Sequence, residues 1–545
     1  MKDSSEKPPE SSARASQSVA VSAAIIAFGT LISRVLGLVR DMVLAAVFPL
    51  MVKDAWVVAF RLPNLFRRLL GEGSLSVAFI PVFVEILTQK KGQTGPVPEA
   101  QRLVHGVFTL LFIILCTLTT LGVVWIEPLM GLLVSGKGYM SIPGKFELTV
   151  KLGRIMFSFI FLMSTYAYFM AILNSLHQFA LAALAPAFLN IIIIISSLLS
   201  YVWDETSGVT ISWGVLLGGA VQMGVLIPPL YRAGYLPKLT RQIVSPEIRR
   251  VFHSILPSLL GMGILQLTGL INIQFASRLP QGAHTWIYFA DRILELPLSL
   301  FAVSLGSALL PTLSSYWSSG LREKMGATAN HYLRLIFYIT IPAAVGVYLL
   351  AEPIVEVLFM RGRFSAHDVE QTANVLRVYA MVLITTSAVR IMTTSFYAIK
   401  NTWLPAAAAG VALAGHILAA TILIEKMGLP GLPLATVVSS GLNVLLLIVA
   451  YRWLIGPLFV KQLLWGLFKF SLAAALMGAV TQIYTLLLRI VDQPTQWTRF
   501  LALMITLFAS MLTYGLGSHL LRIQEYQVTV GAYWGRLQRL SWFKR

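Results

Sequence analysis

Apolar runs long enough to cross a lipid bilayer recur along the whole of this 545-residue chain. About 20 consecutive apolar residues in an α-helix span the roughly 30 Å of hydrocarbon in a bilayer. Segments of about ten residues with alternating polarity, which are typical of membrane β-barrels, do not occur. The sequence therefore predicts an all-α integral membrane protein. We count about fourteen transmembrane helices by this length criterion, with centres near residues 31, 65, 113, 160, 193, 221, 263, 300, 342, 385, 412, 441, 475 and 510.

The basic residues predict the orientation of the chain in the membrane. The net charge is +19, and arginine and lysine concentrate in loops that alternate to one side, for example at 232–250 and in the tail 522–545. Because cytoplasmic loops are enriched in basic residues, both termini are predicted to be cytoplasmic. This topology and contact with anionic membrane lipids explain the excess charge, so we expect no nucleic-acid partner.

The sequence does not carry the motifs of an enzyme that binds a metal or a nucleotide. The eight histidines lack the spacing of a zinc site, and no phosphate-binding loop of the GxxxxGK[ST] type occurs. The single cysteine, Cys116, lies in an apolar run and is interpreted as core filler. Paired carboxylates suited to acid–base catalysis in a pocket are not evident. We therefore expect a protein that is not an enzyme and that has no metal or other cofactor.

Three short strings recur in the same order at a spacing of about 230 residues, which predicts a repeat of about six helices. The matched strings are Ala59–Leu62 with Ala290–Ile293, Ala78–Pro81 with Ala308–Pro311, and Ala171–Ser175 with Ala398–Thr402. Copies with an even number of helices enter the membrane from the same side, as in transporters with parallel repeats. The predicted organisation begins with a disordered cytoplasmic extension at 1–18 and a six-helix N-lobe at 19–233. A cytoplasmic linker at 234–250, which could form an amphipathic helix, leads to a pseudo-symmetric six-helix C-lobe at 251–455. Two further helices at 456–522 and a basic cytoplasmic tail at 523–545 complete the chain.

Arginines lie inside the first predicted membrane helix, although a charge at the bilayer centre costs roughly 2.5–3.5 kcal/mol. This helix contains Arg34 and Arg40, and Asp41 follows directly. The two arginines do not share a helix face in register, but their long side chains can reach one broad cavity. In the alternative interpretation, Arg40 and Asp41 lie at a membrane end. Asp41 is interpreted as a structural partner of an arginine rather than as a proton carrier.

The second predicted membrane span carries further charged residues around a predicted break in its helix. These charges are Asp54, Arg61, Arg67 and Arg68. Pro63 and two glycines at 71–73 interrupt the helix, and broken helices in membranes are tolerated where they line a cavity or form a hinge. Arg67 is therefore a candidate ligand-binding residue. Asp54 could instead be an interfacial helix cap.

A third group of charges lies in the eighth predicted span. Arg292 and Glu295 are three residues apart and can pair on one helix face. Because Arg292 is the repeat counterpart of Arg61, the alternative is a role in the same cavity. Guanidinium groups are planar, permanently charged donors that suit phosphate and carboxylate. Several of them in one cavity predict a ligand with at least two negative charges.

These charged segments resemble the signature of the MurJ (MviN) lipid II flippase family. The resemblance runs in order from about residue 20 to about residue 520, and the motifs are specific as a set. The matching segments are Ser33–Asp41, Asp54–Arg68, Glu72–Gly73, Ala78–Pro81, Ala185–Pro186 with Leu189–Asn190, Tyr288–Arg292, Leu309–Pro311 and Ser395–Tyr397.

The resemblance implies a fold, an activity and a set of site residues. The fold is that of the multidrug/oligosaccharidyl-lipid/polysaccharide exporter superfamily, in which the last two helices form a groove for the lipid tail. The activity is translocation of lipid II, the undecaprenyl-diphosphate-linked peptidoglycan precursor, from the inner to the outer leaflet of the bacterial inner membrane by alternating access. The implied substrate-binding residues are Arg34, Arg40, Arg67 and Arg292. Structural or gating roles are expected for Ser33, Asp41, Asp54, Arg61 and Glu295.

The energy source and the partners are less defined by the resemblance. Some family members bind sodium through a carboxylate on the seventh span, and this chain has none there, so coupling to an ion or to the membrane potential stays open. The expected partners are lipid II and membrane lipids, with the cell-wall synthesis machinery as a further candidate. The alternatives are a flippase for another polyprenyl-diphosphate-linked glycan, a multidrug exporter and a non-transporting envelope scaffold.

Overall fold

The computed structural model of the chain describes residues 10–69, 75–90, 95–203, 205–491 and 495–528, with side chains described except at 10–27, 76–77, 256–262, 264–265, 303 and 307. The described residues form α-helices joined by short connections, and they contain no β-strand. The predicted all-α class is therefore confirmed. Clustering of contacts divides the chain into two compact units, unit 1 (Met1–Gln274) and unit 2 (Phe275–Arg545).

Unit 1 is built mainly from long apolar helices, with short helices between some of them. The helices are α1 (Glu10–Val47), α2 (Leu50–Phe66), α3 (Leu75–Gln89), α4 (Pro98–Val124), α5 (Ile126–Leu133), α6 (Lys137–Met140), α7 (Lys145–Met156), α8 (Phe159–Ser175), α9 (Ala180–Val202), α10 (Val209–Gly224), α11 (Ile227–Arg232) and α12 (Pro246–Ala276). Helix α1 begins at Glu10, so it includes the polar residues 10–18 of the extension predicted at 1–18. Residues 1–9 lie outside the described part of the chain.

Unit 2 begins near the end of α12 and contains the remaining helices. These are α13 (Ala283–Leu298), α14 (Ser304–Ser318), α15 (Arg322–Leu349), α16 (Ala351–Phe359), α17 (Ala366–Ala398), α18 (Trp403–Met427), α19 (Gly431–Leu454), α20 (Val460–Val480), α21 (Ile483–Arg489) and α22 (Gln496–Leu520). Helix α17 packs against α13, α15 and α19, and α20 packs against α15 and α22. Ile523 and Glu525 are buried, so the tail predicted at 523–545 begins with a packed segment; 529–545 lie outside the described residues.

The two units share a succession of elements, which supports the predicted repeat. In unit 1 the 27-residue α4 is followed by the 8-residue α5, and in unit 2 the 28-residue α15 is followed by the 9-residue α16. Each unit also has a π-helical turn after a proline-containing helix, at 67–69 after α2 and at Ser299–Val303 after α13. The predicted lobe boundaries stay a prediction, since the division between the units falls within α12.

Among the described residues, eleven helical segments are long and apolar enough to cross a membrane. They correspond to the third to sixth and the eighth to fourteenth predicted spans. The other three predicted spans contain α1, the pair α2–α3 and α12, each of which includes residues or side chains outside the described part of the chain. The total of about fourteen spans therefore stays a prediction.

Helix α9 packs against both α1 and α10, and small residues bring α9 and α10 close together. A methyl group at Gly214 would collide with Ser196. At Gly218 the methyl carbon would lie 3.1 Å from the carbonyl oxygen of Leu189. Small residues at such contacts allow the backbones of membrane helices to approach, which strengthens their packing. Helix α9 is thus packed closely on α10 and also contacts α1.

The segment before α12 is tied to α4 and is not helical. The amide of Val97 donates to the hydroxyl of Tyr235 at 2.9 Å, and Nε2 of Gln101 donates to the carbonyl oxygen of Gly234 at 2.7 Å. Residues 235–245 contain no helix. The amphipathic helix predicted for the linker is therefore wrong over 235–245, because contacts with the start of α4 hold this stretch in an irregular conformation.

Candidate functional site

Arg40 connects α1 to α9 through its guanidinium group. Its Nε and Nη2 donate to Oδ1 of Asp41 at 3.0 and 2.8 Å, and its Nη1 donates to Oδ1 of Asn190 at 3.0 Å. Nδ2 of Asn190 donates in turn to the carbonyl oxygen of Ser33 at 3.0 Å. Asp41 is 2% exposed, which makes this a largely buried network. Asn190, to which the sequence alone gave no role, thus binds Arg40 and the backbone of Ser33, and Asp41 joins the network through Arg40.

Arg34 lies on the same helix as Arg40 in a different environment. Its side chain is exposed, whereas the Arg40 side chain is partly buried. The two residues are six positions apart, which places their side chains on different sides of α1. Replacing Arg34 therefore tests its charge with little disturbance of packing.

Helix α2 carries Arg61 and leads directly into Arg67. Arg67 lies in the π-helical turn after the helix, and its Nε donates to Oδ1 of Asn64 at 2.9 Å. A methyl group at Gly269 of α12 would collide with the guanidinium group of Arg61. Both arginines are partly buried within unit 1. The glycine hinge predicted at 71–73 lies outside the described residues.

Asp54 forms a buried ion pair with Lys145 that joins α2 to α7. Nζ of Lys145 donates to Oδ2 of Asp54 at 2.8 Å, and the two side chains are 1% and 0% exposed. Lys145 is the first residue of α7 and follows Gly144, whose φ of +74° lies in the left-handed region that favours glycine. Helix α2 begins after Pro49 without a side-chain cap, and Asp54 lies inside the helix. The interpretation of Asp54 as a helix cap is therefore wrong.

Tyr139 and Thr149 complete the pocket around Lys145. The ammonium group lies 4.1 Å from the centroid of the Tyr139 ring, a favourable cation–π distance. Thr149 donates from Oγ1 to the carbonyl oxygen of Lys145 at 2.8 Å, so the 2.6 Å contact between Tyr139 and Thr149 has the phenol as donor. Burial raises the pKa of Tyr139, which keeps the phenol protonated. Removing one partner of a buried ion pair costs about 3–5 kcal/mol, because the other charge stays buried.

Lys145 is the residue of this cluster that the sequence analysis missed. A single lysine at the start of an apolar run ordinarily anchors a helix at the membrane surface, where its ammonium group reaches water. The available signal was the turn at Pro143 and Gly144, which directs the following residue inward. That signal does not identify Asp54 as the partner, since the two residues are 91 positions apart.

In unit 2 the predicted site residue Arg292 pairs within its own helix. Its Nη1 donates to Oε2 of Glu295 at 2.6 Å, and the two side chains are 22% and 45% exposed. The guanidinium carbon lies 4.9 Å from the centroid of the Tyr288 ring. The pair is thus partly open to a ligand, and the role of Arg292 in binding stays a prediction.

The fold of the chain has counterparts among solved membrane transporters. An inward-facing multidrug resistance MATE family transporter of the MOP superfamily aligns with a TM-score of 0.61 and 15% identity, over 81% of this chain and 94% of that one. An outward-facing transporter of the same description aligns with a TM-score of 0.54 and 15% identity, over 83% and 95% of the two chains. Together with the buried charges in membrane helices, this likeness defines an integral membrane protein with the fold of MOP-superfamily transporters.

Comparisons of sequence identify the family. The family model described as lipid II flippase MurJ matches residues 44–508. A probable lipid II flippase MurJ from Bdellovibrio bacteriovorus is 44% identical over 493 residues, which cover 90% of this chain and 93% of that protein. A structure described as lipid II flippase MurJ in an inward closed conformation aligns with a TM-score of 0.73 and 24% identity, over 91% of this chain and 98% of that one. The chain belongs to the lipid II flippase MurJ family, which confirms the resemblance.

The family match covers some of the predicted site residues and not others. Asp54, Arg67 and Arg292 lie within residues 44–508, whereas Arg34 and Arg40 precede them. The assignment of substrate contacts therefore stays a prediction that mutagenesis has to decide.

Proposed function

We propose that this chain is a lipid II flippase, which translocates the undecaprenyl-diphosphate-linked peptidoglycan precursor from the inner to the outer leaflet of the bacterial inner membrane. The observation that carries the proposal is the 44% identity to a probable lipid II flippase over 93% of that protein's length. Nearly the whole length of the relative therefore has a counterpart in this chain. The long apolar helices supply the multi-pass membrane anchorage that such a transporter needs.

Alternating access is the transport mechanism that suits this fold. MATE transporters with the same fold have been solved in inward-facing and in outward-facing conformations. In this mechanism the predicted N-lobe and C-lobe would rock from an inward-facing to an outward-facing state, so that the headgroup is exposed first to one side of the membrane and then to the other. The polyprenyl tail stays in the lipid phase, with 456–522 as its proposed groove.

The headgroup is proposed to be bound by Arg34, Arg40, Arg67 and Arg292. Diphosphate and peptide carboxylates match the planar, permanently charged guanidinium group. Exposed Arg34 suits a direct contact, whereas the Arg40 guanidinium already donates to Asp41 and Asn190. Arg40 would therefore share its donors between these side chains and the ligand, with Asp41 and Ser33 in structural roles.

The proposed transporter has no resident cofactor and is not an enzyme. Its energy would come from the membrane potential or from an ion gradient, and both termini are proposed to be cytoplasmic. Membrane lipids are its proposed surroundings, and the cell-wall synthesis machinery is its proposed protein partner. The basic loops and tail suit contact with anionic lipids on the cytoplasmic side.

The test is the sidedness of lipid II in cells depleted of this protein. A lipid II hydrolase that acts only on the outer leaflet is added to depleted cells and to depleted cells that carry a plasmid copy of the gene. We expect lipid II to accumulate in a protected form in depleted cells and to become accessible again with the plasmid copy. Lipid II that stays accessible after depletion would contradict the proposal and would favour another polyprenyl-diphosphate-linked substrate.

A further inference from the structure

We propose that Lys145 is a positioning residue for transport, because its ion pair with Asp54 holds the first turns of α2 against α7. Held in this way, α2 presents Arg61 and Arg67 in a fixed direction. The inference rests on the proposed flippase function for its effect on transport. It also makes a statement about the position of α2 that can be measured without any substrate.

The position of the ion pair on α2 explains how it would act on distant arginines. Asp54 and Arg61 are seven residues apart, which is close to two helical turns and places them on one face. Arg67 lies a further six residues along, roughly 20 Å from Asp54 at 1.5 Å per residue. A change in how the start of the helix is held is therefore carried to both arginines.

The far half of α2 has little internal resistance to bending. Pro63 lies inside the helix and removes one backbone hydrogen bond, and the turn at 67–69 is π-helical. Kinks of membrane helices occur at such sites. The ion pair therefore fixes the part of α2 before Pro63, and the part that carries Arg67 continues from it, with Nε of Arg67 donating to Oδ1 of Asn64 at 2.9 Å.

Unit 2 has a buried contact at the start of α13, the helix that precedes its own π-helical turn. Nε1 of Trp286 at the start of α13 donates to Oδ1 of Asp368 at the start of α17 at 2.8 Å. In unit 1 the carboxylate is on the helix before the π-helical turn and accepts from Lys145, whereas in unit 2 the carboxylate is on the other helix and accepts from a neutral indole. Both units thus hold the start of the helix before the π-helical turn through a buried carboxylate, and in unit 1 this contact depends on two opposite charges.

The decisive experiment compares single and double variants in the full-length chain. Lys145→Met and Asp54→Leu each leave one buried charge without its partner, and we expect each to lower lipid II flipping at least about tenfold. The double variant has neither charge and replaces the pair by apolar side chains of similar volume, so flipping should return to within about threefold of the wild type. Lys151→Met is the matched control on the same helix, since Lys151 is exposed, and it should flip normally.

The double variant separates positioning from direct participation of Asp54. If Asp54 itself contacts the headgroup or a coupling ion, the double variant stays inactive although it folds, and the inference is overturned. Folding is checked by the melting temperature of the purified protein. If the single variants do not accumulate, the exchanged pair Asp54→Lys with Lys145→Asp decides: restored flipping supports the inference, and a folded but inactive protein overturns it.

A second readout reports on α2 and is independent of transport. Cys116 is the single cysteine of the chain, so Cys116→Ser with Arg67→Cys gives one reporter thiol. We expect Lys145→Met to change its reaction rate with a water-soluble maleimide several-fold, and the double variant to restore the rate. An unchanged rate together with lost flipping would overturn the positioning role. If the wild type does not flip lipid II but these rates change as expected, the proposed function fails and the inference about α2 stands.

Discussion

The indole of Trp286 and the carboxylate of Asp368 form a buried hydrogen bond of 2.8 Å between α13 and α17. Asp368 is 3% exposed. Its other oxygen accepts from the amide and the hydroxyl of Ser365, and the Ser365 hydroxyl accepts from the Asp368 amide, which completes a capping box. One carboxylate therefore stabilises the start of α17 and its contact with α13.

Trp286→Phe should destabilise unit 2 by about 1–3 kcal/mol, because it removes a hydrogen bond to a buried carboxylate. The aromatic ring is kept, so the loss of the N–H group is the main change. Thermal unfolding of the purified protein measures the effect. Trp403→Phe is the control, since Trp403 is 80% exposed. Equal melting temperatures for the two variants would contradict a stabilising role of the hydrogen bond.

Gly218→Ala should destabilise the contact between α9 and α10, whereas Gly224→Ala should not. A methyl carbon at Gly218 would lie 2.9 Å from a side-chain carbon of Leu189 and 3.1 Å from its carbonyl oxygen. At Gly224, in the same helix, nothing lies within 4 Å of the added carbon. Overpacking of this kind costs about 1–3 kcal/mol. Protein accumulation and the melting temperature measure this loss of stability. Similar values for both variants would mean that α9 and α10 separate easily to accept the methyl group.

The sequence predicted those parts of the molecule that depend on local pattern. The apolar runs fix the helical class, because a membrane span must satisfy its own backbone hydrogen bonds. The proline at position 63 and the charges around it predicted an interrupted helix, and a π-helical turn follows α2 at 67–69. The charges of α1 were also recognised from their position inside an apolar run.

The partners of the charges could not be predicted, since they come from other helices. Asp41 has its arginine next to it in the sequence, whereas Asp54 finds Lys145 at a distance of 91 residues. Asn190, which binds Arg40, is 150 residues away from it. Only the packing of α7 on α2 and of α9 on α1 brings these groups together. A charged residue inside an apolar run therefore predicts a partner without identifying it.

Glu525→Ala should lower the stability of unit 2 by about 3–5 kcal/mol, because it leaves Arg334 without its partner. Nε of Arg334 lies 2.7 Å from Oε1 of Glu525, and the side chains are 15% and 2% exposed. The melting temperature of the purified protein measures the effect. Arg522→Ala removes an exposed charge three residues away and is the control. A melting temperature equal to that of the control would show that the segment after α22 does not depend on this ion pair.

Arg34→Ala should abolish lipid II flipping while protein level and melting temperature stay normal, because the Arg34 side chain is exposed and is a proposed contact of the headgroup. Arg40→Ala should lower both flipping and melting temperature, since it also breaks the network with Asp41 and Asn190. For both variants, complementation of depleted cells measures function. Arg241→Ala in the linker is the control for loss of an exposed positive charge.

Arg34→Lys decides what the headgroup requires at this position. A lysine keeps the charge but does not provide the planar, bidentate donor of a guanidinium group, so we expect it to fail if phosphate geometry matters. Growth of depleted cells with this variant would mean that positive charge alone suffices. Full complementation by Arg34→Ala would remove Arg34 from the proposed binding site, and the argument for a cationic headgroup site would then depend on Arg40, Arg67 and Arg292.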